Sequence, residues 1–167
     1  PGPGYALFTD MKFRVAVRQL AEHVHRSGDI HYRFGQLTTS AEGVEAQRRY
    51  QIESVKTDAK YLTEQRVTEK FSDGDLELTV NGRIDGVLFH EDCCGPNRCA
   101  LVEEIKTTRS GFEQLYEYAG ELHFAQLKLY AAMLCKPESL SSCELRLTYL
   151  HPDRSEQVSF DDVATSR

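Results

Sequence analysis

The spacing of the apolar residues changes along this chain, and that change restricts the fold more than any other feature. Residues 15–26 and 40–60 place apolar side chains three and four positions apart, the pattern of an amphipathic helix. Beyond residue 60 the apolar positions alternate in short runs, which is typical of strands. The sequence therefore predicts an α/β (mixed α+β) domain, with a central mixed β-sheet flanked by helices.

Turn residues divide the second part of the chain into elements. Asp73-Gly74 is a strong hairpin signal, Asn81-Gly82 predicts a second reversal, and Pro137 should stop the helix before it. The composition of residues 91–99 is that of a loop. The predicted elements are helices 15–26, 40–60 and 111–134, and strands 65–72, 76–80, 83–90, 100–107, 143–151 and 157–160.

The chain has 167 residues, which fits one domain. It lacks the run of about 18–20 apolar residues that a membrane-spanning helix needs, so we expect no membrane partner. Residues 1–10 begin Pro-Gly-Pro-Gly and are interpreted as a tag remnant and disordered lead. Residues 161–164 resemble the first turn of a helix. We expect residues 11–167 to be a single domain excised from a longer protein.

The cysteines indicate a cellular compartment, and the charge distribution indicates a kind of ligand. Five cysteines at irregular spacings favour a reducing compartment, so we expect a cytoplasmic location. The net charge is −6, and residues 71–167 carry all of the acidic excess. That excess suits a site for divalent cations, although a solvated acidic surface is the alternative.

The candidate chemistry lies in Gly82–Lys106. Glu104 and Lys106 should project from one face of their strand, because side chains alternate along a strand. If Asp85 faces the same way on the neighbouring strand, two carboxylates and an ammonium group meet. A hard divalent cation relieves the repulsion between such carboxylates. Glu103 is a rival ligand, but only Glu104 has a lysine at same-face spacing.

The following helix carries a second set of polar residues. Gln126 and Tyr130 are four residues apart and share a face, with His123 about one turn earlier. Without the strand residues they would be interpreted as helix surface and core rim. Beside the strand residues they are candidates for contacting a substrate phosphate.

These motifs resemble the PD-(D/E)XK nucleases, and among them the RecB-like exonuclease branch. Asp85 matches the metal-binding aspartate, Glu104-Ile105-Lys106 the acidic-x-Lys element, and Gln126-x-x-x-Tyr130 the branch's helix motif. The sequence from Val17 to Gly43 is similar to that of the nuclease domain that precedes the motor in DinG/Rad3-type helicases. The resemblance covers about residues 15–162 and implies a restriction-endonuclease-like core.

The resemblance implies a metal-dependent deoxyribonuclease acting on single-stranded or unwound DNA, coupled to a helicase in DNA repair near the nucleoid. Asp85, Glu104 and the Ile105 carbonyl would hold Mg²⁺ or Mn²⁺, with Lys106 catalytic and Gln126 and Tyr130 binding substrate. The branch places a histidine ligand where this chain has Gln47, whose carbonyl oxygen is a further candidate metal ligand, directly or through water. The cysteine grouping of the iron–sulfur variant is absent from the sequence, so we expect no such cluster in this domain.

Two other interpretations stay open. The domain could be a catalytically weak or inactive module for DNA binding or helicase docking, since Gln47 is a weaker ligand than histidine. Residues 90–99 could instead form a zinc site through His90 and three cysteines. Five arginines are candidates for a strand-binding groove, with solvated helix faces as the alternative: Arg18, Arg26, Arg33, Arg48 and Arg49.

Overall fold

The computed structural model describes residues 11–25, 40–94 and 97–165. In chain order the elements of this part are β1 (Met11–Ala16), α1 (Val17–Val24), α2 (Ser40–Thr57), β2 (Leu62–Asp73), β3 (Leu76–Cys94), β4 (Asn97–Thr107), α3 (Phe112–Glu138), β5 (Leu140–Leu150) and β6 (Gln157–Thr165). All six strands form one mixed sheet flanked by the helices. The predicted α+β class is confirmed.

Strand β3 organises the sheet. β2 runs antiparallel along one side of β3, from Leu76 to Val87. Two strands share its other side: β1 pairs with β3 in parallel up to Asn81, and β4 pairs antiparallel from Gly86 onward. β5 then pairs in parallel with β4, and β6 antiparallel with β5. The stretch Gly82–Asp85, which we call the β3 gap, therefore lies between the ends of β1 and β4.

The main core lies between the sheet and the helices α1 and α3. It is built from Val17 of α1, apolar side chains of β3 to β5, and the inner side of α3 from Leu127 to Cys135. Gly82 allows α3 to approach closely, because a Cβ at this position would lie 2.5 Å from Cε1 of Tyr130. Helix α2 packs on the opposite face, where it contacts β4. The sheet is thus covered on both faces near β4.

The hairpin at Asp73-Gly74 is confirmed, since β2 ends at Asp73 and Gly74 has a φ of +55°. The second reversal at Asn81-Gly82 is wrong, because β3 continues through both residues. Gly82 does not form a turn; its lack of a side chain makes room for the ring of Tyr130. The predicted strands 76–80 and 83–90 are therefore one strand.

Other predicted boundaries also differ. The predicted first helix from residue 15 begins only at Val17, since residues 11–16 form β1 beside β3. Residues 91–94 and 97–99 extend β3 and β4, so the predicted loop is mostly strand. Pro137 does not stop helix α3, which continues to Glu138 and is followed by Ser139 with a φ of +55°. The helix expected at 161–164 is wrong, because β6 continues to Thr165. Residues 1–10 lie outside the described part.

Candidate active site

The β3 gap holds the first candidate residue, Asp85. The ladder between β3 and β4 stops at the pair Gly86–Glu103. Beyond that pair, Oδ2 of Asp85 accepts a hydrogen bond from the Ile105 backbone N–H at 2.7 Å. The carboxylate thus takes the place of a strand partner and is fixed at the point where the two strands separate.

Glu104 and Lys106 lie beside Asp85, as their alternation along β4 predicts. Nζ of Lys106 is 2.5 Å from Oε1 of Glu104. The second oxygen, Oε2 of Glu104, is buried and has no hydrogen-bond partner among the described residues. An unpartnered buried carboxylate oxygen is costly, and a bound cation would satisfy it. The structure therefore brings the three residues together, and Oε2 of Glu104 stays available to bind a cation.

The pKa of Asp85 reflects its burial and the nearby carboxylate of Glu104. The side chain is 9% exposed. Burial, followed by the nearby charge of Glu104, raises the pKa of Asp85 to about 8. The Ile105 N–H and Lys106 lower the pKa of Asp85 but do not offset the rise. Without a cation, Asp85 is therefore mostly protonated near neutral pH.

Helix α2 holds Asp85 from the other side through two amides. Nε2 of Gln47 donates to Oδ1 of Asp85 at 2.9 Å, and Nε2 of Gln51 donates to the Asp85 backbone carbonyl at 2.9 Å. These residues are one helical turn apart and act on the same target. Gln47 thus reaches the site, where it presents its amide N–H group to the carboxylate. Its predicted role as a metal ligand stays a prediction.

A third carboxylate, Glu64 of β2, was missed in the sequence. It accepts hydrogen bonds from Gln51 at 2.8 Å and Gln47 at 3.2 Å, and pairs with Nε of Arg83 at 2.5 Å. Its φ of +57° is unusual for a residue other than glycine. No sequence signal marks a glutamate for that backbone conformation.

Helix α3 supplies Gln126 and Tyr130, both of which are buried. Burial raises the pKa of Tyr130, and the charges of Glu104 and Asp85 raise it further. The Tyr130 hydroxyl therefore lies within the electrostatic reach of both carboxylates. Gln126 lies one turn earlier on the same face.

His123 lies at the border of the site. Nδ1 of His123 is 2.8 Å from the Tyr149 hydroxyl. Burial, then the charges of Lys106 and Arg18, lower the pKa of His123 to about 3. His123 is thus a neutral residue that packs beside Lys106.

Glu103, the rival ligand, points to the opposite face. Its carboxylate accepts hydrogen bonds from the hydroxyls of Tyr50, Tyr61 and Thr148 at 2.5–2.8 Å. It lines a cavity of about 540 Å³ between α2 and the sheet. Burial, then the charge of Glu103, raises the pKa of Tyr50 to about 12. Glu103 is therefore a buried anchor for α2, on the face away from Asp85 and Glu104.

The donor set fits a hard cation with few protein ligands. Asp85 and Glu104 offer carboxylate oxygens and Ile105 a backbone carbonyl, which are ligand types that Mg²⁺ and Mn²⁺ accept. No group of three or more His, Cys, Asp or Glu side chains suited to a metal occurs in the described part of the chain. The zinc alternative at 90–99 needs the side chains of Cys93 and Cys94, which lie outside the described part.

The arginines proposed for a groove are dispersed. Arg18 pairs with Glu22, Arg48 with Glu45, and Arg49 donates to the Pro152 carbonyl. Arg26 and Arg33 lie outside the described residues. Within that described part, no helix is long and apolar enough to cross a membrane.

Comparisons with known proteins support the fold. The chain is similar to the crystal structure of SSO0001, with a TM-score of 0.56 and 18% identity over 94% of this chain and 69% of that one. A phage-related exonuclease from Haemophilus somnus 129PT matches with a TM-score of 0.34 and 13% identity, over 80% of this chain and 54% of the other. A likeness at that level carries no argument about activity. No protein-family model matches the chain. No curated protein matches it significantly.

Proposed function

We propose that this domain is a metal-dependent deoxyribonuclease that hydrolyses phosphodiester bonds. The observation that carries the proposal is the buried Oε2 of Glu104, which lies beside Asp85 and has no hydrogen-bond partner in the described part of the chain. Burial, then the charge of Glu104, raises the pKa of Asp85. Two crowded carboxylates with a free ligand atom are suited to a divalent cation. The lysine next to them adds a group that can act on water or phosphate.

Each residue has a defined task in this proposal. Asp85, Glu104 and the Ile105 carbonyl would hold Mg²⁺ or Mn²⁺, and Gln47 would be a further contact. When bound, the cation polarises the phosphate and lowers the pKa of the attacking water. The hydrogen bond from the Ile105 N–H fixes the direction of the Asp85 carboxylate, so the ligand oxygens are positioned before the cation arrives.

Lys106 is the proposed catalytic ammonium group. Its Nζ lies at the carboxylate pair, where it can orient the attacking water and stabilise the negative charge that develops on the phosphate. Gln126 and Tyr130 of α3 lie on the same side and are proposed to position the scissile phosphate. His123 is neutral and supports the packing around Lys106.

The family resemblance supports the finer part of the proposal. It places the domain with RecB-like exonucleases that act on single-stranded or unwound DNA, linked covalently to helicase domains in DNA repair. It also implies an intracellular, nucleoid-associated location. These assignments depend on the motifs around Asp85, Glu104 and Gln126 and not on the geometry of the site.

The test is cleavage of end-labelled single- and double-stranded DNA with Mg²⁺, Mn²⁺ or chelator. We expect metal-dependent products from the wild type and none from Lys106→Ala, which should keep its fold and its DNA affinity. Lys56→Ala, an exposed lysine on α2, is the matched control and should cleave normally. Equal cleavage by Lys106→Ala would refute the mechanism. If calorimetry detects no Mn²⁺ binding and the wild type does not cleave DNA, the results would instead favour an inactive DNA-binding or helicase-docking module.

A further inference from the structure

One face of the sheet formed by β1, β3 and β2 has a composition unlike the rest of this acidic chain. Cross-strand pairs share a face, and alternate residues along each strand point to it. The pairing registers place Arg14 opposite Thr79 and Thr79 opposite Lys70, in one row across the three strands. A second row pairs Arg66 with Arg83, and a third pairs Lys12 with Glu77. We call this surface the open basic face.

The charge on this face is one-sided. Its five cations are Lys12, Arg14, Arg66, Lys70 and Arg83, and all are exposed. The anions beside them are Glu77, 4.0 Å from Lys70, and Glu64, which pairs with Arg83. The next row on this face is uncharged and consists of Ala16, Asn81 and Thr68. The excess of cations stands against a net charge of −6 for the whole chain.

The opposite face of the same strands is apolar, with Val67 and Val80 in the core beneath α1 and α3. The third helix, α2, packs against β4. The helices therefore leave the cations accessible. Arg66 and Arg83 are also directly opposite one another, and Glu64, which pairs with Arg83, offsets part of the repulsion between these like charges.

The open basic face ends at the candidate active site. Arg83 is two residues before Asp85 on β3 and pairs with Glu64, which accepts a hydrogen bond from Gln47, the residue that also donates to Asp85. From the Lys12 row to the Arg83 row is six residues of β3, or about 20 Å. A chain of phosphates on this face would thus lead to the carboxylates.

We propose that the open basic face binds the phosphate backbone of a single nucleic-acid strand and guides it to Asp85 and Glu104. This inference rests on the proposed function and deepens it by assigning the substrate's path. Three strands are about 10 Å wide, which suits one row of phosphates better than both strands of a duplex. The face offers cations and small polar groups but no aromatic ring, so it favours backbone contacts over base recognition.

The test is binding of fluorescent (dT)20 by anisotropy with chelator present, so that nothing is cleaved. We expect Arg14→Gln/Lys70→Gln to weaken binding about tenfold at low salt, and to reduce the slope of log K against log salt by about 1.4 for two lost phosphate contacts. The matched control is Lys56→Gln/Arg154→Gln, which removes the same charge from exposed sites elsewhere and should change binding less than about twofold. Urea unfolding checks the fold, and Arg66→Gln is a milder second variant.

Hydrolysis of bis(p-nitrophenyl) phosphate separates this inference from the proposed function. The small diester can reach the carboxylates without touching the face, so Arg14→Gln/Lys70→Gln should hydrolyse it at the wild-type rate. Equal (dT)20 affinity of the face and control variants overturns the inference, whether or not the protein cleaves DNA. Tighter binding of a 20-base-pair duplex, lost in the same variants, overturns the assignment to a single strand. Face-dependent binding with no hydrolysis by the wild type overturns the proposed function alone.

Discussion

Replacing Asp85 with asparagine should reduce the loss of stability of the metal-free protein as the pH rises, while it removes metal binding. The pKa of Asp85 is about 8 in the folded protein, against 3.8 for an unperturbed aspartate. Between these values the folded state keeps a proton that the unfolded chain releases. The free energy of unfolding therefore decreases as the pH rises toward 8. Asparagine does not titrate and lacks this loss.

The size of the effect follows from the same two pKa values. Each pH unit in this interval costs about 1.4 kcal/mol of folding free energy, because one proton is bound only by the folded state. From pH 5 to pH 8 the contribution of Asp85 should decrease by about 3–4 kcal/mol. The pKa of Asp85 already includes the effect of the hydrogen bond from Ile105, and any pH-independent cost of the substitution cancels when the two pH values are compared.

The assay is urea unfolding of the wild type and Asp85→Asn at pH 5 and pH 8, with chelator. The stability of Asp85→Asn relative to the wild type should be higher at pH 8 than at pH 5, by the amount above. Adding Mn²⁺ at pH 8 should stabilise the wild type, by about 2.7 kcal/mol at one hundred times the dissociation constant, and leave Asp85→Asn unchanged. A stability difference that is the same at both pH values would refute the reasoning about Asp85.

Two further outcomes test the surroundings of the site. Gly86→Ala should destabilise the protein by about 1–3 kcal/mol in urea unfolding, because its Cβ would overlap the Tyr61 hydroxyl. The control is Gly111→Ala, whose Cβ would meet Gln114 at 3.6 Å, and equal stabilities of the two variants would contradict the prediction. His123 should stay neutral from pH 5 to 8, since burial beside Lys106 lowers its pKa to about 3. Its ring signals in NMR spectra should then not titrate, and a midpoint near pH 6.5 would show that the ring is solvated.

The part of the site that depends on strand alternation could be predicted from the sequence. Glu104 and Lys106 are two residues apart on a strand, so their shared face follows from geometry, and Asp85 needed only a neighbouring strand. Gln51 and Glu64 could not be predicted. Gln51 acts on a backbone carbonyl of β3, and Glu64 depends on a φ of +57°, so both roles exist only after α2 and β2 are in place.

The errors in the predicted fold have a similar cause. β1 pairs with residues more than 60 positions away, so local periodicity assigned part of it to the following helix. At Gly82 the sequence shows a glycine after asparagine, which also fits a turn, and only the approach of Tyr130 explains it. Asp73-Gly74 was predicted correctly because a hairpin turn is a local structure.

The β3 gap makes the candidate site sensitive to the shape of the sheet. Asp85 belongs to β3, while Glu104 and Lys106 belong to β4, and the ladder joining these strands has already ended at Gly86–Glu103. Only the β2–β3 hairpin continues past this opening among the described strands. A twist of β1 and β2 against β4 and β5 would alter the separation of the two carboxylates. A cation bound to both carboxylates would therefore link the half of the sheet that contains β3 to the half that contains β4 and would limit this twist.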